Sequence, residues 1–158
     1  MHPNAQLITR FYTAFQNRDA EAMAACYHPD VTFSDPVFLD LKGGRARNMW
    51  RMLCASARDL TIEVRDIQAD DASGQAHWDA TYTFSKTGRK VFNQIDARFW
   101  FKDGLICNHQ DTFDLWAWSG MALGIPGKLF GWAPPLQNGI RKTATKGLDA
   151  FVQKRETR

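Results

Sequence analysis

The sequence is poor in the features that usually announce a chemistry. Its 158 residues hold three cysteines, Cys26, Cys54 and Cys107. An odd number without C-x-x-C spacing, each inside an apolar stretch, leaves no disulfide framework, so they read as reduced core thiols of a cytoplasmic protein. There is no Ser nucleophile elbow, phosphate-binding P-loop or dinucleotide glycine fingerprint. The opening Met1-His2-Pro3-Asn4-Ala5-Gln6 lacks a basic segment leading into an apolar one and does not read as a signal peptide. Neither sign of charge dominates: 20 Lys+Arg stand against 17 Asp+Glu, a net +3. Residues 1–136 carry 14 basic and 15 acidic side chains, residues 137–158 carry 6 and 2. A near-neutral body argues against nucleic-acid binding, which needs a concentrated basic face. Potential metal ligands occur only in pairs, His77-x-Asp79 and His109-x-Asp111, so neither metal nor cofactor is expected.

What is present suits one compact domain. At 44% hydrophobic and 23% charged, the chain can bury a core without staples. Leu7, Ile8, Phe11, Ala14 and Phe15 fall at helical spacing, and Asp19 can cap a second, short helix carrying Ala22, Met23, Cys26 and Tyr27. From Val31 the period changes to two: Val31, Phe33, Asp35 and Val37 share one face of a strand. Gly43-Gly44 opens a third helix, expected to run to about Ala57, with Met49, Trp50, Leu53 and Cys54 inward. Four alternating runs follow, from Leu60, from Ala76, from Val91 to Phe101 and from Leu105 to Phe113, with turn signals at Ser73-Gly74, Thr87-Gly88 and Asp103-Gly104. Helices first and an antiparallel meander after predict an α+β fold, helices packed on one face of a curved sheet.

The stretch Leu115–Leu136 holds one charge, Lys128, and three tryptophans. Its prolines and glycines would break a spanning helix, so no membrane span is expected; a lid or packing arm, or contact with a membrane surface, remains. Leu136, Ile140, Ala144, Leu148 and Phe151 then mark an amphipathic helix with a basic outer side. The expected organisation is a domain body over 1–114 with a Trp-rich arm and helix over 115–158 packed on it.

Asp35 stands out because alternation points its carboxylate where apolar side chains go. Burial there would raise its basicity, which suits a general base; a turn aspartate ahead of Pro36 is the alternative. In the long run from Val91, one face reads Val91, Asn93, Ile95, Ala97, Phe99 and the other Phe92, Gln94, Asp96, Arg98, Trp100. Aromatics interleaved with polar groups suggest a pocket wall, or else an interface. His109 and Asp111 share a face of the last strand, either as a proton-handling pair or as a structural one.

The runs Arg10-Phe11-Tyr12-Thr13-Ala14-Phe15, His28-Pro29-Asp30-Val31-Thr32-Phe33-Ser34-Asp35-Pro36 and Gln94-Ile95-Asp96-Ala97-Arg98-Phe99, in this order and spacing, resemble the nuclear transport factor 2-like superfamily. This is the cystatin-like cone shared by ketosteroid isomerase, SnoaL-like polyketide cyclases and limonene epoxide hydrolase. The resemblance covers about residues 4–114. It implies that Asp35 is the catalytic base, that Asp96 is the protonated acid of an oxyanion hole, and that His109 and Arg98 assist. It places Tyr27 in an active-site hydrogen-bond network and adds Phe11, Phe33, Trp50, Trp100 and Asp111 to the lining of a cavity for a hydrophobic small molecule. Phe11 stands where the isomerase has a second oxyanion donor and lacks the hydroxyl, which speaks against steroid isomerisation itself; the resemblance implies an isomerase or cyclase acting by proton abstraction next to a carbonyl. Epoxide hydrolysis by Asp96, Arg98 and Asp111 is a lesser reading, and a non-catalytic binding or dimerisation module is the alternative from another class. A homodimer formed through the sheet is also implied.

Overall fold

The helical spacing at the start of the chain becomes α1 (Pro3–Gln16), opened by Pro3 and by the His2 Nδ1, which accepts the Asn4 N–H at 3.0 Å. The computed structural model describes residues 1–56 and 58–157. Asp19 caps α2 (Ala20–Ala25) by accepting the Ala22 N–H, as its position in the sequence suggests. Tyr27, expected at the end of that helix, instead opens strand β1 (Tyr27–Ser34). Its backbone pairs with Ile106 on the last strand, and the Ile106 N–H donates to the Cys26 carbonyl, so sheet pairing captures the chain as soon as α2 ends. Pro29 cannot donate to a ladder, and the register slips between Tyr27 and Thr32.

A short β2 (Leu41–Lys42) and helix α3 (Gly44–Ser56) follow; the expected helix end at Ala57 lies outside the described residues. The meander is β3 (Thr61–Ala69), β4 (Ser73–Phe84), β5 (Arg89–Lys102) and β6 (Leu105–Thr112). Ser73-Gly74, expected as a turn, begins β4, and Asp70 makes the turn by accepting from Ala72 and Ser73 N–H. The six strands lie in the order β2-β1-β6-β5-β4-β3. All pairs are antiparallel except β1 with β6, which run parallel because no hairpin joins them. The α+β architecture of helices on a curved sheet is thus as expected, with a mixed sheet in place of an antiparallel one.

Strand alternation sets the two faces. On β5, buried Val91, Asn93, Ile95, Ala97 and Phe99 alternate with outward Phe92, Gln94, Asp96 and Arg98. The inward set packs on Ile8, Phe11 and Tyr12 of α1 and on Met49 and Trp50 of α3. The C-terminal segment forms α4 (Leu115–Leu123), α5 (Ile125–Phe130) and α6 (Pro134–Glu156). α4 seats Leu115, Trp118 and Ala122 on Val91, whereas α6 inserts Leu148 into the main core. Among the described residues no helix is long and apolar enough to cross a membrane.

Leu148 is the buried anchor of α6 and has no exposed surface. Leu148→Ala should therefore cost about 2–4 kcal/mol, lost transfer energy plus a cavity. Urea denaturation checks this: the midpoint should fall with unchanged slope, and a loss well below about 1 kcal/mol would show that α6 is not part of the cooperative core.

Candidate active site

Between the inner face of the sheet, α3, α4 and α6 lies a cavity of about 660 Å³. Its walls are mainly apolar, with Trp50, Leu53, Trp78, Phe113, Trp118 and Ile140 prominent. Among them sit a few polar side chains, notably Asp35, Tyr82, Asn93 and Asp111. Apolar walls with a few convergent polar groups are the usual make-up of a small-molecule site.

Asp35 is held by a turn just beyond β1. Its Oδ1 accepts the N–H groups of Val37 at 2.7 Å and Phe38 at 2.6 Å, and its own N–H donates to the Phe38 carbonyl. The turn expected ahead of Pro36 is present, and the same carboxyl also lines the cavity. Desolvation by burial is the main influence on its acidity and outweighs the two backbone hydrogen bonds. With the negative charge of Asp111 adding to it, the carboxyl is raised from its ordinary value of 3.8 to about 7.

Asp111 is fixed from behind by a buried chain of hydrogen bonds. The Trp50 Nε1–H donates to the Tyr27 hydroxyl oxygen at 2.8 Å, the Tyr27 hydroxyl meets His109 Nδ1 at 2.7 Å, and His109 Nε2 meets Asp111 Oδ1 at 2.8 Å. Because the Tyr27 oxygen already accepts from Trp50, its proton is best placed on the bond to Nδ1, which leaves Nε2–H to donate to Asp111. Burial, the largest influence, raises the Tyr27 hydroxyl well above its ordinary value, so it stays protonated and able to donate. The Phe33↔His109 and Phe99↔His109 pairings put the imidazole between two phenylalanines. Phe11 stacks on Tyr27, and Trp50 stacks on His109 at 5.9 Å and 14°.

The expected residues thus divide into three groups. Asp35, Trp50 and Asp111 line the cavity. Phe11, Tyr27, Phe33 and His109 are buried behind that wall and do not line it. Asp96, Arg98 and Trp100 are not brought to it: the pleat puts them on the outer face of the sheet, where the Asp96 side chain is 80% exposed and accepts from His77 Nδ1 at 2.8 Å. Sequence reasoning takes the aromatic-and-charged face of β5 for the pocket wall, yet Phe92 and Trp100 are open to solvent there. The cavity face is the apolar one, and its single polar residue, Asn93, is the available signal. Asn93 and Tyr82 are the site residues that sequence reasoning misses. Tyr82 accepts the Trp118 Nε1–H at 2.7 Å, so its own O–H is free to donate elsewhere. Burial raises its ionisation above the ordinary value, with the Asp35 charge adding to the effect. Among the described residues no group of three His, Cys, Asp or Glu is placed to hold a metal ion.

A helix-backed curved sheet closed over an acid-lined apolar cavity defines the class of protein. The family model of the SnoaL-like domain matches residues 8–109, and the chain belongs to that family, within the nuclear transport factor 2-like superfamily. Solved structures share the fold. TerC, co-crystallised with polyporic acid, is 19% identical at a TM-score of 0.65, the match covering 76% of this chain and 98% of that one. A protein described as a SnoaL-like polyketide cyclase, from Jannaschia sp. CCS1, is 13% identical at 0.68 over 78% and 93%. An LEH-like epoxide hydrolase of M. tuberculosis is 21% identical at 0.60 over 85% and 95%. At these identities the likeness is one of fold. No curated protein matches the chain.

Burial of Asp35 has a measurable consequence for stability. Its folded-state value lies above the unfolded one, so the folded protein binds the proton more tightly. This contribution is complete below about pH 4 and is lost as the pH rises to about 7. Asp35→Asn keeps the turn acceptor and mimics the protonated acid. Denaturant unfolding should find the two proteins alike near pH 4 and the variant more stable at pH 8 by about 2–4 kcal/mol, since each tenfold difference in proton affinity between the folded and unfolded chain is worth roughly 1.4 kcal/mol. Equal stability at both pH values would mean that the carboxyl is solvated.

Proposed function

We propose that the protein is a cofactor-independent acid–base enzyme, an isomerase or cyclase that moves a proton on a carbon next to a carbonyl of a hydrophobic cyclic molecule. The observation that carries the reading is the presence of two carboxyl groups, Asp35 and Asp111, in the wall of one largely apolar cavity, the first of them raised toward neutrality by its surroundings. A base works best when its pKa lies near the working pH, and Asp35 meets that condition. Its carboxylate takes the proton from carbon, and the C–H electron pair moves into the forming enolate. The Asn93 amide and Tyr82 hydroxyl donate hydrogen bonds to the enolate oxygen, and Asp35 returns the proton to carbon, at the same carbon or, where a neighbouring C=C extends the enolate into a dienolate, at its far end. Burial, with the charge of Asp111 adding to it, keeps Asp35 basic. His109 has no exposed atom and both ring nitrogens are engaged, so it acts as a positioning residue through Asp111 rather than on the substrate.

Hydrolysis of an epoxide is less well supported, because Arg98 points away and no arginine lines the cavity among the described residues. The outer sheet face, with Phe92 and Trp100 exposed beside Asp96 and Arg98, is the surface we assign to a homodimer contact. Unpaired Cys26, Cys54 and Cys107 fit a cytoplasmic setting.

The reading is tested without knowing the product. A panel of cyclic ketones incubated with the protein in D₂O, followed by NMR, reports exchange at the carbon next to the carbonyl. Exchange should rise through about pH 7, fall by about 10²–10⁴-fold in Asp35→Asn, and have its rising limb moved to lower pH in Asp111→Asn. Ketones that bind without exchange in the wild type would favour the non-catalytic binding module, and exchange undiminished in Asp35→Asn would overturn the assignment of Asp35 as the base.

A further inference from the structure

The C-terminal arm carries an apolar surface that the fold leaves uncovered. Ile125, Leu129, Phe130 and Trp132 are each more than half exposed, and Trp116 is nearly so, all within 17 residues of chain. Ile125 and Leu129 stand four apart on α5 and share a face. Trp116 is tied to the same element because its Nε1–H donates to the Lys128 carbonyl at 2.9 Å; the Trp132 Nε1–H donates to the Leu129 carbonyl at 2.9 Å. Both indoles thus satisfy their polar atom internally and leave apolar ring surface to the outside. Monomeric soluble proteins seldom gather large apolar side chains in this way without a partner.

The surface is also rigid. α4 and α5 approach so closely that a Cβ on Gly127 would collide with the Ser119 carbonyl, and one on Gly131 would lie 2.8 Å from Trp116 Cδ1. Gly124, at φ +76°, makes the reversal between the two helices. The exposed side chains are therefore held in place by packed glycines.

The charge around them selects the partner. From Leu115 to Leu148 the sequence has no Asp or Glu and four basic residues, Lys128, Arg141, Lys142 and Lys146. Lys128 shares a shallow depression with Arg89 and Trp116, and Lys90 at its edge is paired with Asp59 at 3.2 Å. The one acid there, Asp114, is engaged at the N-terminus of α4, where it accepts the Ala117 N–H at 3.0 Å. Asp149, the first acid beyond, is paired with Arg45 at 2.7 Å. A second copy meeting this surface through a twofold axis would bring Lys128 and Arg89 of each copy toward those of the other. Exposed aromatic and aliphatic side chains beside Lys128 and Arg89, with the nearby carboxylates of Asp114 and Asp59 held in a helix cap and an ion pair, match the headgroup boundary of an anionic bilayer. There the apolar groups enter the acyl region and the cations meet lipid phosphates.

We infer that the α4–α5 hairpin with Trp132 docks on an anionic membrane surface. The inference does not depend on the proposed reaction, since it uses none of the cavity's polar residues.

The test is co-sedimentation of the full chain with vesicles of phosphatidylcholine alone and with about 30 mol% phosphatidylglycerol. Tryptophan quenching by brominated lipid and sedimentation velocity accompany it. Binding to the anionic vesicles is expected, weak on the neutral ones and reduced by roughly 0.5 M salt, the regime in which exposed charges are screened. Leu129→Ser with Phe130→Ser alters exposed side chains only and should cut binding and quenching at least about tenfold, with an unchanged thermal melt. Lys128→Gln should weaken binding to the anionic vesicles only. Absence of binding to either vesicle, binding unchanged in the double variant, or a double variant that converts a dimer into a monomer would each overturn the assignment, the last in favour of a second copy.

Discussion

The buried chain Trp50–Tyr27–His109–Asp111 is the arrangement on which the candidate site depends. It links α3, β1 and β6 and delivers one carboxylate to the cavity through an aromatic core. Each member needs the next. Without the Tyr27 hydroxyl, both the Trp50 N–H and His109 Nδ1 would be buried without a partner, and a buried unsatisfied polar group costs about 1–3 kcal/mol. The aromatic box of Phe11, Phe33, Phe99 and Trp50 around the imidazole fixes its plane, so Nε2 can face only Asp111. Resemblance to a catalytic network makes Tyr27, Phe11 and Phe33 look like substrate contacts. Their role in the structure is one layer further back.

Asp35 is held by a different device with the same result. Its turn uses a carboxylate oxygen as the acceptor for two backbone N–H groups, which would ordinarily favour the ionised form, yet the apolar surroundings and the charge of Asp111 prevail. The carboxyl is fixed by its own backbone and shares the cavity wall with Phe38, Phe113 and Tyr82, and its affinity for a proton is shifted toward neutral pH. In the proposed reaction, the neutral donors Asn93 and Tyr82 suit the negative charge generated on substrate oxygen better than a further carboxylate would.

Much of this is legible in the sequence. The period-3.6 runs mark α1 and α3, alternation marks the four meander strands, and Asp19 marks a helix start because its side chain can satisfy an exposed N–H. Asp35 is legible because a charged residue sits on an apolar stripe. The choice of face on β5 is not, because alternation divides a strand into two sets without saying which faces inward. On that strand the outer set carries Phe92 and Trp100, as apolar as many inner sets. Tyr27 reads as helical because its pairing partner, Ile106, lies 79 residues further on, and no local pattern encodes such a contact. The parallel β1–β6 pair is hidden for the same reason. Asn93 and Tyr82 acquire their significance from sharing the cavity wall with Asp35.

The proposed chemistry depends above all on the ionisation of Asp35 inside the cavity. A carboxyl-carbon NMR titration of the wild type and of Asp111→Asn measures it directly. The expected midpoint for Asp35 is near 7 in the wild type and lower once the Asp111 charge is removed. A midpoint in the ordinary carboxylate range, about 4, unmoved by the substitution, would contradict the acid–base role assigned to this residue.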